Sequence, residues 1–344
     1  MPMRLRTIDA HAAGATLRLV IEGFPTVKGR SMRDKQRWIA RHADTLRTAL
    51  LSEPRGFTDA SGAVLTEPVT PGAAAGVIFM HGGGYSAMCG HGLIAAVTIA
   101  IERGLLDGVS ADGTAMSIDT VAGPVRVRCD IVEAEAGTAR RVERVRYRSQ
   151  PVRILVPGVA AQAGPAAIRA DVVWADGVYA LVDAESAGVP VTFSALPELR
   201  RAARGLSDSL RPAIAKALGV TVAVEGIVLT APSDTGRADL RVVTVYGDLS
   251  VDRSPSGGGT ASALAVLSAM GLVGDGQVIA LEGLSGLSFR ACVAGRTQDD
   301  GAAALDIEVE GSAYITGEHT FELNDDDPLR HGIATDGTPV ARLS

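Results

Sequence analysis

The chain has 344 residues, 47% of them hydrophobic, with 39 acidic against 33 basic side chains and a formal net charge of −6. That length and apolar share favour two medium cores over one, and the mildly acidic balance, with no Lys/Arg block, excludes a nucleic-acid footprint. Three cysteines, Cys89, Cys129 and Cys292, cannot make a disulfide framework and lack metal-ligand spacing, which predicts a reducing, cytoplasmic setting.

The N-terminal stretch Met1–Gly14 has no apolar core of the signal-peptide kind, and the apolar runs stay shorter than a membrane span, so no membrane partner is expected. In chain order, Leu5–Ile8 and Thr16–Ile21 read as strands about a small-residue turn at Gly14. Met32–Leu51, with Trp38, Ile39, Leu46 and Leu50 at helical spacing, reads as one surface helix. Gly76–Met80 is a short strand ending at His81-Gly-Gly-Gly. Leu93–Leu105 is so poor in polar residues that it predicts a buried helix, closed near Gly104 and Gly108.

Met116–Ile118 and Val125–Val132 predict strands around Ala122-Gly123-Pro124, and Val142–Tyr147 begins another. Arg153–Val156, Ala170–Trp174, Tyr179–Val182 and Val191–Phe193 are further short strand-like runs. Pro197–Leu218 is the clearest amphipathic pattern, with Leu199, Ala202, Leu206, Leu210, Ile214 and Leu218 three to four residues apart, and Pro212 predicts a kink or break within it. Val220–Leu229, Ala238–Val245 and Val278–Leu281 return to strand character. Thr260–Met270 is a second apolar helix without a charged residue.

One unit therefore occurs twice: apolar strand, glycine-rich turn, reactive-type side chain, buried helix. In the first, Cys89 precedes Gly90, His91 and Gly92; in the second, Ser256 precedes Gly257, Gly258, Gly259 and Thr260. Free N–H groups in the first turn of a helix bind anions, and the positive helix end favours a thiolate. A carboxylate held there would accept the charge that develops when its neighbouring carbon loses a proton. Taken singly, each feature has an ordinary reading: a cysteine before a helix as a small core residue, a Ser-Pro-Ser loop as a cap. His81-Gly-Gly-Gly lacks the G-x-S-x-G elbow of a serine hydrolase, and the three glycines form neither a P-loop nor a dinucleotide turn. Cys129 and Cys292 lie in strand-like runs, and His42, His319 and His331 are too scattered for a metal site.

Met88–Gly92 (MCGHG) and Asp252–Pro255 (DRSP) followed by Ser-Gly-Gly-Gly resemble the paired motifs of the proline racemase family. Thr7-Ile8-Asp9 with His11 and Gly14, Glu53–Gly56, Asp119-Thr120 with Gly123, Val309–Gly317 and Asp327-Pro328 agree with it over nearly the whole chain. The resemblance implies the fold of diaminopimelate epimerase: two similar α/β domains, each a curved sheet wrapped around a central helix, with substrate in the cleft between them and no cofactor. It places residues 1–148, completed by 325–344, in the first domain with Cys89, and 149–324 in the second with Ser256. It further implies a cyclic imino acid as the small-molecule partner, with a homodimer as the possible assembly.

In the racemases of the family two cysteines face each other; here Cys89 matches the first and Ser256 occupies the second position. By resemblance the amides of Gly90, His91, Gly257 and Gly258 hold the carboxylate, Asp252 and His91 contact the ring nitrogen, and Tyr246 lines the ring pocket. Dehydratase members resemble this chain in pairing one cysteine with a hydroxyl residue. Chemistry points the same way, because in trans-3-hydroxy-L-proline the hydroxyl and the Cα hydrogen share a face and one thiolate can serve both. Racemisation needs a proton donor on the opposite face, and a serine hydroxyl is a far weaker acid than a thiol of reference pKa about 8.5. The expected activity is trans-3-hydroxy-L-proline dehydration through Cys89; 4-hydroxyproline 2-epimerase or proline racemase activity, or a mixture, is the alternative. A silent binder or a thiol hydrolase fits less well, the latter lacking an oriented His–Asp partner. Departures from the family pattern stand at Ala15-Thr16, Phe57, Ala175-Asp176-Gly177 and Gly258.

Overall fold

The computed structural model describes residues 2–106, 115–133, 140–233, 235–333 and 340. Its chain divides into two compact units, Met1–Val145 with Ser312–Ser344, and Arg146–Gly311. The first opens with β1 (Met3–Ala12) and β2 (Ala15–Glu22), an antiparallel hairpin whose turn residues Ala13 and Gly14 take φ of 47° and 87°. Helices α1 (Met32–His42) and α2 (Asp44–Leu51) carry the chain to β3 (Ser61–Thr66), which lies parallel to β2. Antiparallel β4 (Ala75–His81) and β5 (Gly84–Ser86) follow. Then α3 (Gly90–Glu102) crosses to β6 (Ala115–Thr120), parallel to β4, and β6 makes a hairpin with β7 (Gly123–Glu133) before β8 (Arg140–Arg148).

The second unit repeats this order. Strands β9 (Arg153–Ala163), β10 (Ala166–Trp174) and β11 (Val178–Asp183) form an antiparallel meander. Helix α4 (Leu196–Leu218) crosses to β12 (Val224–Ala231), parallel to β11, and β13 (Leu240–Tyr246) returns antiparallel. Helix α5 (Gly257–Ala269) crosses to β14 (Ile279–Glu282), parallel to β13, and β15 (Ser288–Asp299) and β16 (Ala302–Gly311) complete the unit. Parallel neighbours cannot be joined by a tight turn, so helices span the two crossovers of each unit: α1 with α2, then α3, in the first, and α4, then α5, in the second. In each unit the second crossover is made by the apolar helix, α3 or α5.

The apolar helices are the centres. Strands β1, β2 and β3 pack around α3, and every residue from Gly90 to Ile101 is buried. A helix enclosed on all sides has no polar face to keep, which is why its sequence has none. Its one hydroxyl, Thr98, donates to Ile94 O at 2.8 Å and so leaves no polar group unsatisfied. Helix α5 touches β9, β10, β11, β13, β15 and β16, with Gly259–Ala265 buried. Helix α4 lays Leu199, Ala203, Leu206, Leu210 and Ile214 on a core that includes Val172, Ala180, Ile227 and Val243. No helix among the described residues is long and apolar enough to cross a membrane.

Several elements differ from the sequence expectation. The single helix over 32–51 is two, because Ala43 leaves the helical region (φ −143°, ψ 15°) and Asp44 starts a second helix where its charge meets the positive end. The apolar helices begin three residues earlier than expected, at Gly90 and Gly257, so the glycines belong to the helices themselves. Helix α4 runs on through Pro212: Pro212 and Asp208 are both exposed, and water can satisfy the carbonyl that proline deprives of a donor. Val191–Phe193 is no strand; Phe193–Ala195 is a 3₁₀ turn. The boundary expected at 324 moves back to 311, because β17 (Ala313–Leu323) pairs with β1 along its length, from Met3↔Leu323 to Ala12↔Ala313. The C-terminal stretch expected to complete the first domain, 325–344, lies outside the described residues beyond 333, residue 340 excepted.

The three-residue turn between β10 and β11 carries an energetic cost. Asp176 sits at φ 64°, and its Oδ1 is buried without a hydrogen-bond partner. Burial pushes its carboxyl up from 3.8 to about 6, against the opposing pull of a Gln150 backbone hydrogen bond. A raised carboxyl pKa means the folded protein holds the proton more tightly than the unfolded chain. The penalty is therefore absent below pH 3.8 and grows as pH rises to about 6, to about 3 kcal/mol. Asp176→Asn, which keeps a residue tolerant of this backbone, is expected to raise the urea midpoint at pH 7.5 and to leave it unchanged at pH 3.5. Equal gains at both pH values would show that charge burial is not the cause.

Candidate active site

The first turn joins β5, which ends at Ser86, to α3, which starts at Gly90. Cys89 is the N-cap of α3 in extended backbone (φ −146°, ψ 107°), and its carbonyl accepts from Leu93 N at 2.8 Å. No side chain caps this helix. The thiol folds back over the first turn: a Cβ on Gly92 would lie 2.8 Å from Cys89 Sγ and 3.1 Å from the Phe79 ring. Glycine at 92 is thus what leaves room for the sulfur. His91 is buried, with its two ring nitrogens 3.7 and 3.6 Å from Sγ, while Cys89 itself is half-buried.

The segment ahead of Cys89 is tied down on both sides. Tyr85 donates to Asp44 Oδ1 (2.7 Å); Arg47 binds Asp44 through two nitrogens and donates to the carbonyls of His81 (2.9 Å) and Gly82 (2.7 Å). Burial and the Asp44 carboxylate raise the Tyr85 phenol pKa. The His81-Gly-Gly-Gly run is therefore a hairpin turn clasped by arginine. On the other side Ala122 N donates to Ala87 O (3.1 Å), and Thr120 Oγ1 closes its own turn on Gly123 O (2.7 Å). The turn after Thr120 thus supports the segment before the thiol, while Asp119 Oδ2 accepts from Val69 N and Thr70 N, both at 2.7 Å.

The second turn is more deeply organised. Asp252 Oδ1 accepts from Ser254 N (2.9 Å) and Ser254 Oγ (2.7 Å), and Oδ2 accepts from Tyr246 OH (3.1 Å). Ser254 Oγ accepts in turn from Ser256 N (3.1 Å). Ser256 caps α5 through Oγ, which accepts from Gly259 N (3.2 Å) and lies 3.2 Å from Tyr246 OH. With the phenol proton directed to Asp252, the serine is the donor in that last contact. Ser256 is 1% exposed and holds φ 63°, ψ 147°. Only glycine populates that region readily, so the surrounding bonds hold the serine in a strained pose. The turn between β14 and β15 presses on the same loop: a Cβ on Gly283 would fall 2.3 Å from Ser254 C, and Ser285 N donates to Arg253 O (3.0 Å).

At the start of α5, Ser256 satisfies the N–H groups of Gly259, through Oγ, and Thr260, through its carbonyl. Those of Gly257 and Gly258 have no partner among the described residues. Two adjacent donors at a helix end are suited to a carboxylate. Among the described residues no group of three or more His, Cys, Asp or Glu is placed to hold a metal ion.

The structure thus brings Cys89, Gly90 and His91 together in the first unit, and Tyr246, Asp252, Ser256, Gly257 and Gly258 together in the second. Sequence reading missed Ser254, Gly283 and Tyr179. An Asp-x-Ser turn was visible in Asp252–Ser254; the other two become neighbours of the site only on folding. The ancillary motifs have structural partners. Asp9 is gripped by Arg18 (2.8 Å), and Arg55 binds Asp327 Oδ2 (2.7 Å) and Leu329 O (3.0 Å).

Residues 7–334 match the family model described as proline racemase. A proline racemase of Clostridioides difficile is 32% identical over 333 residues, covering 96% of this chain and 97% of that protein. A trans-3-hydroxy-L-proline dehydratase of Bacillus cereus is 31% identical over 330 residues, covering 95% and 97%. In fold, the chain is similar to a hydroxyproline epimerase from Agrobacterium vitis solved with bound trans-4-hydroxy-L-proline (TM-score 0.83, 24% identity, 98% and 97% covered). With the match running almost end to end in sequence and the doubled α/β architecture shared in three dimensions, the chain is an enzyme belonging to the proline racemase family.

Proposed function

We propose that the protein dehydrates trans-3-hydroxy-L-proline. Cys89 as thiolate takes the Cα proton; the freed electron pair forms the C2–C3 double bond as hydroxide leaves C3. The thiol proton passes to that hydroxide, giving water and regenerating the thiolate. The enamine product, Δ2-pyrroline-2-carboxylate, tautomerises to Δ1-pyrroline-2-carboxylate. The amides of Gly90, His91, Gly257 and Gly258 serve the carboxylate, His91 and Asp252 the ring nitrogen, and Tyr246 the ring.

One observation carries this reading: the two turns are chemically unequal. Ser256 is buried, strained and committed to capping α5 and to Tyr246, whereas Cys89 is half-buried, caps nothing with its side chain and has an imidazole beside its sulfur. That inequality suits a reaction run by one acid–base group. A specific contact favours epimerase or racemase activity as the second reading: Tyr246 and Asp252 stand behind Ser256 as a hydrogen-bonded chain through which a proton could be passed. The test is product identity with proline and a panel of 3- and 4-hydroxyprolines. Trans-3-hydroxy-L-proline should yield an imine that borohydride reduces to proline. No imine from folded protein, with optical rotation changing for trans-4-hydroxy-L-proline or proline, would transfer the assignment to the second reading.

A further inference from the structure

Tyr179 lies on β11 opposite Gly226 of β12, which lies opposite Tyr246 of β13. Residues in register across adjacent strands share a face, and on this face Tyr246 reaches Ser256. Tyr179 reaches the next turn of chain. A Cβ placed on Gly258 would fall 2.6 Å from Tyr179 Cζ, 2.6 Å from its hydroxyl oxygen and 2.7 Å from Cε2. The end of the phenol, not the base of the ring, therefore occupies the volume of a side chain at 258. Cβ atoms on a helix tilt toward its N-terminus, so this volume lies on the side of the unpartnered Gly257 and Gly258 N–H groups.

We propose that Tyr179 is a substrate-positioning residue whose hydroxyl completes the carboxylate nest at the start of α5. The inference rests on the reading that a carboxylate binds there. Gly258 is then the counterpart of Tyr179: the helix gives up its own side chain so that the sheet can supply the hydroxyl. A third donor matters most when the Cα proton leaves and negative charge spreads onto the carboxylate oxygens.

The test uses pyrrole-2-carboxylate, a planar five-membered ring acid that cannot be dehydrated, together with turnover of trans-3-hydroxy-L-proline. Tyr179→Phe keeps the ring and removes the donor. It should weaken the probe's Kd by roughly ten- to a hundredfold, the range of a hydrogen bond to a charged group, and raise KM, with circular dichroism as the control for folding. Tyr179→Val should lose as much, and Tyr179→Val with Gly258→Ser, which restores a hydroxyl from the helix side, should recover the probe's affinity to within about threefold. A mere packing role would give no such recovery. Unchanged Kd in Tyr179→Phe, or no recovery in the well-folded double variant, overturns the proposal. If the unsubstituted enzyme binds no pyrrole-2-carboxylate while turning over an imino acid, the carboxylate assignment itself fails instead.

Discussion

Cys89→Ser is expected to lower turnover of trans-3-hydroxy-L-proline by at least about four orders of magnitude while the fold persists. The substitution changes one atom, and Gly92 already leaves space for the larger sulfur. Extended backbone at 89 suits a serine N-cap, so α3 should if anything gain a cap hydrogen bond. What is lost is acidity: a hydroxyl is not ionised at neutral pH, and the Cα proton then meets no competent base. The companion substitution should behave differently. Ser256→Ala removes a helix cap worth about 1 kcal/mol and the contact to Tyr246, yet leaves Cys89 untouched. Dehydration should survive within about a hundredfold. Steady-state kinetics of both variants, with circular dichroism as the control for folding, separates one-group from two-group chemistry. Ser256→Ala as damaging as Cys89→Ser would mean that the Tyr246–Asp252 chain does relay a proton through the serine, and the epimerase reading would gain.

What the sequence made legible follows from how local each signal is. The two reactive turns could be read because thiol, imidazole and glycines, or aspartate, serines and glycines, are contiguous. The buried helices could be read because α3 and α5 are enclosed by strands and so carry no polar face to confuse the pattern. The stripe of α4 was legible for the opposite reason, its buried Leu199, Leu206, Leu210 and Ile214 alternating with exposed arginines. The break at Ala43 was not, since alanine is a strong helix former and only the tertiary fit of α2 turns the chain there. Nor were the full lengths of β15, read as strand-like only around Cys292, and of β16. Their outer faces carry Arg290, Glu308 and Glu310, which pair across the sheet, and a register shift between Val293 and Gly295 interrupts the two-residue alternation. Tyr179 and Gly283 were hidden because nothing nearby in sequence marks them; the fold brings one against Gly258 and the other against Ser254.

Glu282→Ala should cost about 3–5 kcal/mol of stability and also disturb the serine turn. Glu282 is 0% exposed and receives two nitrogens of Arg241, at 2.9 and 2.6 Å, as well as the Thr235 hydroxyl at 2.7 Å. Arg241 is buried too, and its third nitrogen donates to Val191 O (3.1 Å). Removing the carboxylate takes from a buried guanidinium the charge that chiefly offsets its desolvation. Glu282→Gln should lose a similar part of this, because the amide keeps the shape but not the charge. The pair lies where β13 meets β14, at the residue preceding Gly283, and Gly283 is in contact with the backbone of Ser254 and Pro255. A loosened β14 end therefore releases the face that holds Ser256 in its strained backbone, and the strain can relax. Urea unfolding of Glu282→Ala should show the lowered midpoint. Kinetics at a temperature where the variant is still folded should show turnover reduced well beyond the unfolded fraction. The control is Arg296, whose ion pair with Asp275 is exposed and screened by water; Arg296→Ala should leave both the midpoint and turnover unchanged. A Glu282→Ala enzyme that unfolds early but turns over normally while folded would confine the pair to stability and detach β14 from the positioning of Ser256.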